Sequence, residues 1–144
     1  MVAACVGSTC LIVSPALRFE QIVDYVDRYK VTTLSSFPMR LRQIVGEMRR
    51  RGTRLRGVRR INVGGDIISP LLAEAVSGVF EDLLCLRNSY GMTESCGIVC
   101  TPPVDEISAG YMGYPATMVE IKDVFLCARK IVNKSLHVFS GRGI

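Results

Sequence analysis

The chain has 144 residues, enough for one ordinary domain, and 49% of them are apolar, enough for a sizeable core. No run of about 18 apolar residues occurs, so the sequence excludes a helical membrane span. The formal net charge of +5 is concentrated in Arg49, Arg50, Arg51, Arg54, Arg56, Arg59 and Arg60, and the remainder is slightly acidic.

The N-terminus, Met1-Val2-Ala3-Ala4-Cys5-Val6, is apolar without a basic leader, and Gly7, Ser8 and Thr9 interrupt it. It reads as a buried strand rather than a signal peptide. Leu11 to Val13 reads as the end of an apolar strand closed by Ser14-Pro15. Phe19, Ile22, Val23 and Val26 fall at i, i+3, i+4 and i+7, the spacing of an amphipathic helix. Val31 to Leu34 is a short β-rich run. Pro38 suits a helix start, Leu41, Ile44, Val45 and Met48 share one face, and Gly52 is a stop. Arg60 to Val63 reads as the next strand, ended by Gly64-Gly65. Ser69 and Pro70 suit the cap and first position of a helix with the apolar set Leu71, Leu72, Ala75, Val76, Val79 and Phe80. Leu83 to Leu86 is the following strand.

The order β-α-β-α-β-α-β predicts an α/β fold with a mostly parallel sheet and covering helices. Ligands of such sheets bind beyond the carboxyl ends of the strands. Two short segments sit there: Val63-Gly64-Gly65-Asp66, and the octapeptide Asn88-Ser89-Tyr90-Gly91-Met92-Thr93-Glu94-Ser95. Both should emerge on the same edge. The octapeptide contains the parts that hold a nucleotide and its metal. An aromatic face stacks on a purine, and Gly91 lets a ligand approach the main chain. The Thr93 hydroxyl bonds phosphate oxygen, and the Glu94 carboxylate is a hard magnesium ligand. Each residue also has a plainer reading. Tyr90 could be a packed aromatic, Thr93 and Glu94 ordinary first-turn residues, and Gly64-Gly65 only a tight turn.

The octapeptide resembles the Tyr-Gly-x-Thr-Glu motif of adenylate-forming (AMP-binding) enzymes, a superfamily of acyl-CoA synthetases, coumarate-CoA ligases and luciferases. Val63-Gly64-Gly65-Asp66 looks like the family's glycine loop beside adenine. Gly110-Tyr111-Met112-Gly113-Tyr114-Pro115 with Val119-Glu120-Ile121-Lys122 resembles its Gly-x-x-Gly-x-Pro…Val-Glu-Ile stretch. The resemblance covers roughly residues 7 to 123, so residues 1–123 are read as part of the large N-terminal adenylation domain and 124–144 as a divergent tail.

The resemblance implies an enzyme that joins a carboxylic acid to AMP, using ATP and magnesium, and then transfers the acyl group to CoA. It implies that Tyr90 stacks on adenine, and that Gly64, Gly65 and Asp66 line the adenine pocket. Gly91 and Met92 would shape the turn, with Met92 near the acyl group. Thr93 would bind the α-phosphate and Glu94 would help hold magnesium, these two being the catalytic candidates. Gly113 and Pro115 would shape a neighbouring loop.

Three parts of the family pattern do not occur in these 144 residues: the phosphate loop ending Pro-Lys-Gly, the Arg/Lys-Thr-Gly-Asp ribose-binding segment, and the small domain with its catalytic lysine. The chain is therefore expected to be an incomplete copy, without ligase activity alone. Its uncovered sheet edges and apolar faces would favour self-association or a partner chain. A non-catalytic nucleotide-binding remnant is the second reading. A nucleic-acid module built on the arginine segment is the third, and it lacks interleaved aromatics; a solvated helix end is preferred.

Six cysteines (Cys5, Cys10, Cys85, Cys96, Cys100, Cys127) form no Cys-x-x-Cys pair, and His137 is the single histidine. They read as reduced thiols of an intracellular protein rather than a zinc site. Cys96 and Cys100 are expected to pack rather than react. The compartment is expected to be cytoplasmic or peroxisomal, although Gly141-Arg142-Gly143-Ile144 is no peroxisomal signal.

Overall fold

The computed structural model describes residues 7–14, 16–104, 106–125 and 135–141. The first half is helix α1 (Phe19–Arg28), strand β1 (Thr33–Ser36), helix α2 (Pro38–Arg51), strand β2 (Arg60–Val63), helix α3 (Pro70–Ser77) and strand β3 (Cys85–Asn88). The three strands form a parallel sheet in the order β1-β2-β3. Its register rows are Leu34, Ile61, Leu86 and Ser35, Asn62, Arg87. Alternation puts the first row on one face and the second on the other. Ile61 and Leu86 are fully buried in the core, with Ile22, Leu41, Ile44, Met48, Val58, Val76 and Phe80.

The helices form for local reasons. Ile22, Val23 and Val26 recur at helical spacing and all are buried. Pro38 opens α2, and Gly52, in the left-handed conformation at φ 63°, closes it. That conformation costs glycine least. Ser69 caps α3 by accepting the Leu72 N–H at 3.3 Å.

The second half is antiparallel. Strand β4 (Tyr90–Met92) leads through a 3₁₀ turn (Thr93–Ser95) into β5 (Gly97–Thr101), which also pairs with β6 (Tyr114–Pro115). Strands β7 (Val119–Phe125) and β8 (Ser135–Gly141) form a separate hairpin, from Val119 opposite Gly141 to Phe125 opposite Ser135. Residues 106–108 return to β3. The Leu86 N–H donates to the Glu106 carbonyl at 3.0 Å, and the Ser108 N–H donates to the Leu86 carbonyl at 2.9 Å.

The α/β class and parallel order agree with the sequence reading, with several corrections. Leu11 to Val13 forms no strand, and Ile12 is 87% exposed, with no strand beside it among the described residues. The apolar stretch before it, 1–6, lies outside the described residues. Strand β1 starts two residues later than expected because Val31 is used to close α1, donating to the Val26 carbonyl at 3.1 Å. Strand β3 is displaced likewise to Cys85–Asn88, since pairing runs on to a Ser89 N–H bond with the Val63 carbonyl at 2.8 Å. Leu71 is 79% exposed, and Ala73 is buried in α3 instead, on the face shared by Leu72 and Val76. The edge of β3 is covered by residues 106–108 rather than left open. Among the described residues no helix is long and apolar enough to cross a membrane.

Several side chains of the arginine segment are paired with acids. Arg50 and Arg51 both bond Glu47, Arg51 also reaches Asp24 at 2.6 Å, and Arg56 pairs with Glu81 at 2.5 Å. Glu47 is 9% exposed, and its carboxyl is held down to about 2, first by the Arg50 hydrogen bond and, against the opposing effect of burial, also by Arg51. Acids from α1, α2 and the β3 approach thus pair with Arg50, Arg51 and Arg56 of the block.

Candidate adenylate site

The carboxyl ends of β1, β2 and β3 open into a cavity of about 890 Å³, within the usual range for small-molecule sites. Four chain segments meet there: Ser35–Phe37 at the end of β1, Asn62–Gly65 at the end of β2, Arg87 to Thr93 from β3 into the turn, and Gly97, Ile98 and Thr101 of β5. Main-chain bonds join them. The Gly64 N–H donates to the Ser36 carbonyl at 3.4 Å, and the Ser89 N–H donates to the Val63 carbonyl at 2.8 Å. The two glycine corners singled out in the sequence therefore share one cavity wall.

Glycine is required at both corners. Gly65 has φ +85°, and a Cβ there would stand 3.0 Å from the Phe37 ring. A Cβ on Gly91 would collide with the Gly97 carbonyl, because β4 and β5 pass with no room for a side chain. The turn beyond is held by Ser95, whose Oγ accepts the Met92 N–H at 3.2 Å. Cys96 follows at φ 58° and donates its N–H to the Thr93 carbonyl at 3.0 Å. Thr93 and Glu94 are both exposed on this turn. Gly113, at φ +79°, packs where a Cβ would strike the Thr101 carbonyl, and Pro115 pairs with Cys100.

Gly64, Gly65, Gly91, Met92 and Thr93 line the cavity. Tyr90 is half-buried and Asp66 and Glu94 are exposed, and these three stand outside its lining. Asp66 uses its carboxylate locally, accepting the Ile67 N–H at 2.7 Å.

Two residues with clear positions carried no assigned role in the sequence. Phe37 lies against Gly65 at the cavity and is 65% exposed, an aromatic face available to a planar ligand. Its signal was faint: an aromatic directly after a strand and before a helix-starting proline. Asn88 is 1% exposed. With its amide oriented so that nitrogen and oxygen each face a complementary group, the nitrogen donates to the Asp66 carbonyl at 3.0 Å and the oxygen accepts the Ile68 N–H at 3.3 Å. Both groups belong to the β2–α3 loop, so Asn88 pins that loop to β3. Ser108, fully buried, supports it from behind, donating to the Leu86 carbonyl and accepting the Asn88 N–H.

Cys100 is buried, and burial pushes its thiol up, as expected for a packing residue. Cys96 is exposed, against the expectation that it packs, because the left-handed turn carries it outward. Among the described residues no three His, Cys, Asp or Glu side chains cluster as metal ligands.

Helices over one face of a parallel sheet, with glycine corners gathered at the strand ends, define a nucleotide-binding type of α/β domain. The chain belongs to the AMP-binding enzyme family, whose model matches residues 1–124. It is similar in fold to a long-chain-fatty-acid-CoA ligase from Archaeoglobus fulgidus (20% identity, TM-score 0.78), covering 97% of this chain and 30% of that one. It is also similar to O-succinylbenzoate coenzyme A synthetase from Bacillus subtilis in complex with ATP and magnesium ion (21% identity, TM-score 0.70, 96% of this chain and 28% of that one). A third similar structure is the luciferase-like enzyme of the nonluminescent Zophobas morio mealworm (22% identity, TM-score 0.65, 76% and 27%). The chain thus spans less than a third of the length of these structures. No curated protein sequence matches it significantly.

Proposed function

We propose that this chain carries the purine and magnesium corner of an ATP-dependent carboxylate-activating ligase of the acyl-CoA synthetase type. The observation that carries the reading is the convergence of Gly64-Gly65 and Gly91-Met92-Thr93 on one cavity at the strand ends. Gly64 and Gly65 form one side of the adenine pocket beside the Phe37 ring, and Asp66 and Tyr90, which adjoin that lining without being part of it, are assigned to the base by the family resemblance. The Thr93 hydroxyl donates to the α-phosphate. A carboxylate oxygen of the acid then attacks the α-phosphorus and pyrophosphate leaves, giving the acyl-adenylate. The CoA thiol subsequently displaces AMP to form the thioester.

Magnesium, when bound, neutralises phosphate charge. Glu94 fits as one exposed carboxylate ligand, with the other oxygens supplied by phosphate and water, the usual arrangement for this cation. The remaining work is positioning: the backbone amides of the turn and the Thr93 hydroxyl hold the reacting phosphate in line.

The isolated chain is inactive in this reading, because catalytic groups that act as a unit fail together. ATP–pyrophosphate exchange with a panel of carboxylic acids should show no turnover, and calorimetric AMP binding should be weaker than micromolar. In a ¹H–¹⁵N spectrum, AMP should shift the Gly64, Gly65 and Tyr90 to Glu94 amides. Shifts confined to other regions would refute the assignment. The pairing of Arg50, Arg51 and Arg56 with acids argues against the nucleic-acid reading.

A further inference from the structure

The cavity floor carries a charge that the adenylation chemistry does not use. Ser35, Asn62 and Arg87 form one register row across the three parallel strands, on the face opposite the core row of Leu34, Ile61 and Leu86. All three line the cavity, and Arg87 is the one charged residue among the described lining residues. Its Nη2 donates to Thr101 Oγ1 at 3.0 Å. Its Nε is buried without a hydrogen-bond partner. A guanidinium offers five N–H donors in a planar fork suited to carboxylate. Arg87 is half-buried, and a buried donor left unmatched is costly unless an acceptor joins it.

We propose that Arg87 is a specificity residue that takes a second anionic group of the acid substrate, so that the site selects dicarboxylic acids over plain fatty acids. This rests on the adenylation reading for the position of the reacting carboxylate, beside Thr93. Arg87 lies three residues before Tyr90, about 10 Å back along extended chain. In this reading the tail of the acid runs from the Thr93 turn back toward Arg87. Ser35, Asn62 and Ser89 add neutral hydrogen-bonding groups to the same floor.

The test uses the full chain and two probes of equal length, adipate and hexanoate. The Arg87 Nε–H signal is identified by its loss in Arg87→Lys, and each acid is titrated with ¹H–¹⁵N spectra. Adipate should move that signal and bind at least about tenfold tighter than hexanoate, the order supplied by one charge-assisted hydrogen bond. In Arg87→Met the preference should fall below about twofold, while the AMP-induced shifts at Gly64 and Gly65 persist. Equal binding of the two acids, or a preference that survives Arg87→Met, would overturn the proposal. So would a larger Arg87 shift with ATP than with adipate, which would make the arginine a phosphate ligand. AMP shifts without adipate selection would defeat this inference and leave the adenylation reading standing. Adipate selection without AMP shifts would keep Arg87 as a dicarboxylate ligand but defeat the adenylation reading, and with it the role in substrate choice.

Discussion

Asn88→Ala tests whether the glycine loop after β2 is held from below. The side chain is 1% exposed and makes two hydrogen bonds, to the Asp66 carbonyl and the Ile68 N–H, at 3.0 and 3.3 Å. Truncation leaves a donor and an acceptor of the main chain without their partner, and Ile68 itself is fully buried. Each such loss costs about 1–3 kcal/mol, and the loop relaxes enough to hydrate the Asp66 carbonyl, which belongs to an exposed residue. The expected loss of stability is therefore about 2–3 kcal/mol, near the lower half of the sum of the two. Urea unfolding should show it as a lower midpoint with an unchanged slope. Hydrogen exchange at the Ile68 amide should accelerate more than at Ile61, which sits in the sheet centre. Asn88→Asp should recover the bond to Ile68 but set its carboxylate against the Asp66 carbonyl, so it should fall as far as the alanine variant or further. A midpoint shift worth less than about 0.5 kcal/mol, with Ile68 protection unchanged, would show that Asn88 does not hold the loop.

Three further outcomes follow from the same coordinates. Gly91→Ala forces a methyl into the Gly97 carbonyl. It should cost about 2–3 kcal/mol and abolish AMP-induced shifts in the turn; a stable variant with normal shifts would mean β4 and β5 are not so closely apposed. Glu47 has a folded-state carboxyl near 2 against an ordinary value of 4.5, so its contribution is complete above 4.5 and is lost as pH falls toward 2. Glu47→Gln should flatten that part of the stability–pH curve, and an identical slope in both proteins would contradict the pairing with Arg50. Under native conditions iodoacetamide should modify Cys96 and spare Cys100, read by peptide mass; Cys100 labelling at the same rate would contradict its burial.

Much of this architecture is readable from the amino acids because helix signals are local. The spacing of Ile22, Val23 and Val26, the proline at position 38, the glycine at 52 and the serine cap at 69 each determine a boundary within a turn of chain. Strand limits are less readable, since they depend on partners. Val31 is as β-prone as Leu34, yet its N–H is taken by the end of α1. Nothing in the order of residues shows that Tyr90–Met92 would pair backwards with Gly97–Thr101, because a three-residue strand has too few positions to display a period. The glycines of the site were legible as motifs. Phe37 and Asn88 were not, since their roles arise from a contact with Gly65 and from bonds to a loop some twenty residues away.

The strap formed by residues 106–108 has a consequence for how the molecule assembles. Strand β3 satisfies the Leu86 amide and carbonyl only when the chain has already completed its antiparallel excursion through 90–101 and come back. The rim of the sheet is thus sealed by a segment that returns from the antiparallel half, and the Thr93–Ser95 turn lies between two parts of the same closure. The two halves should melt as one cooperative body, and the ligand corner cannot be finished before the sheet beneath it is.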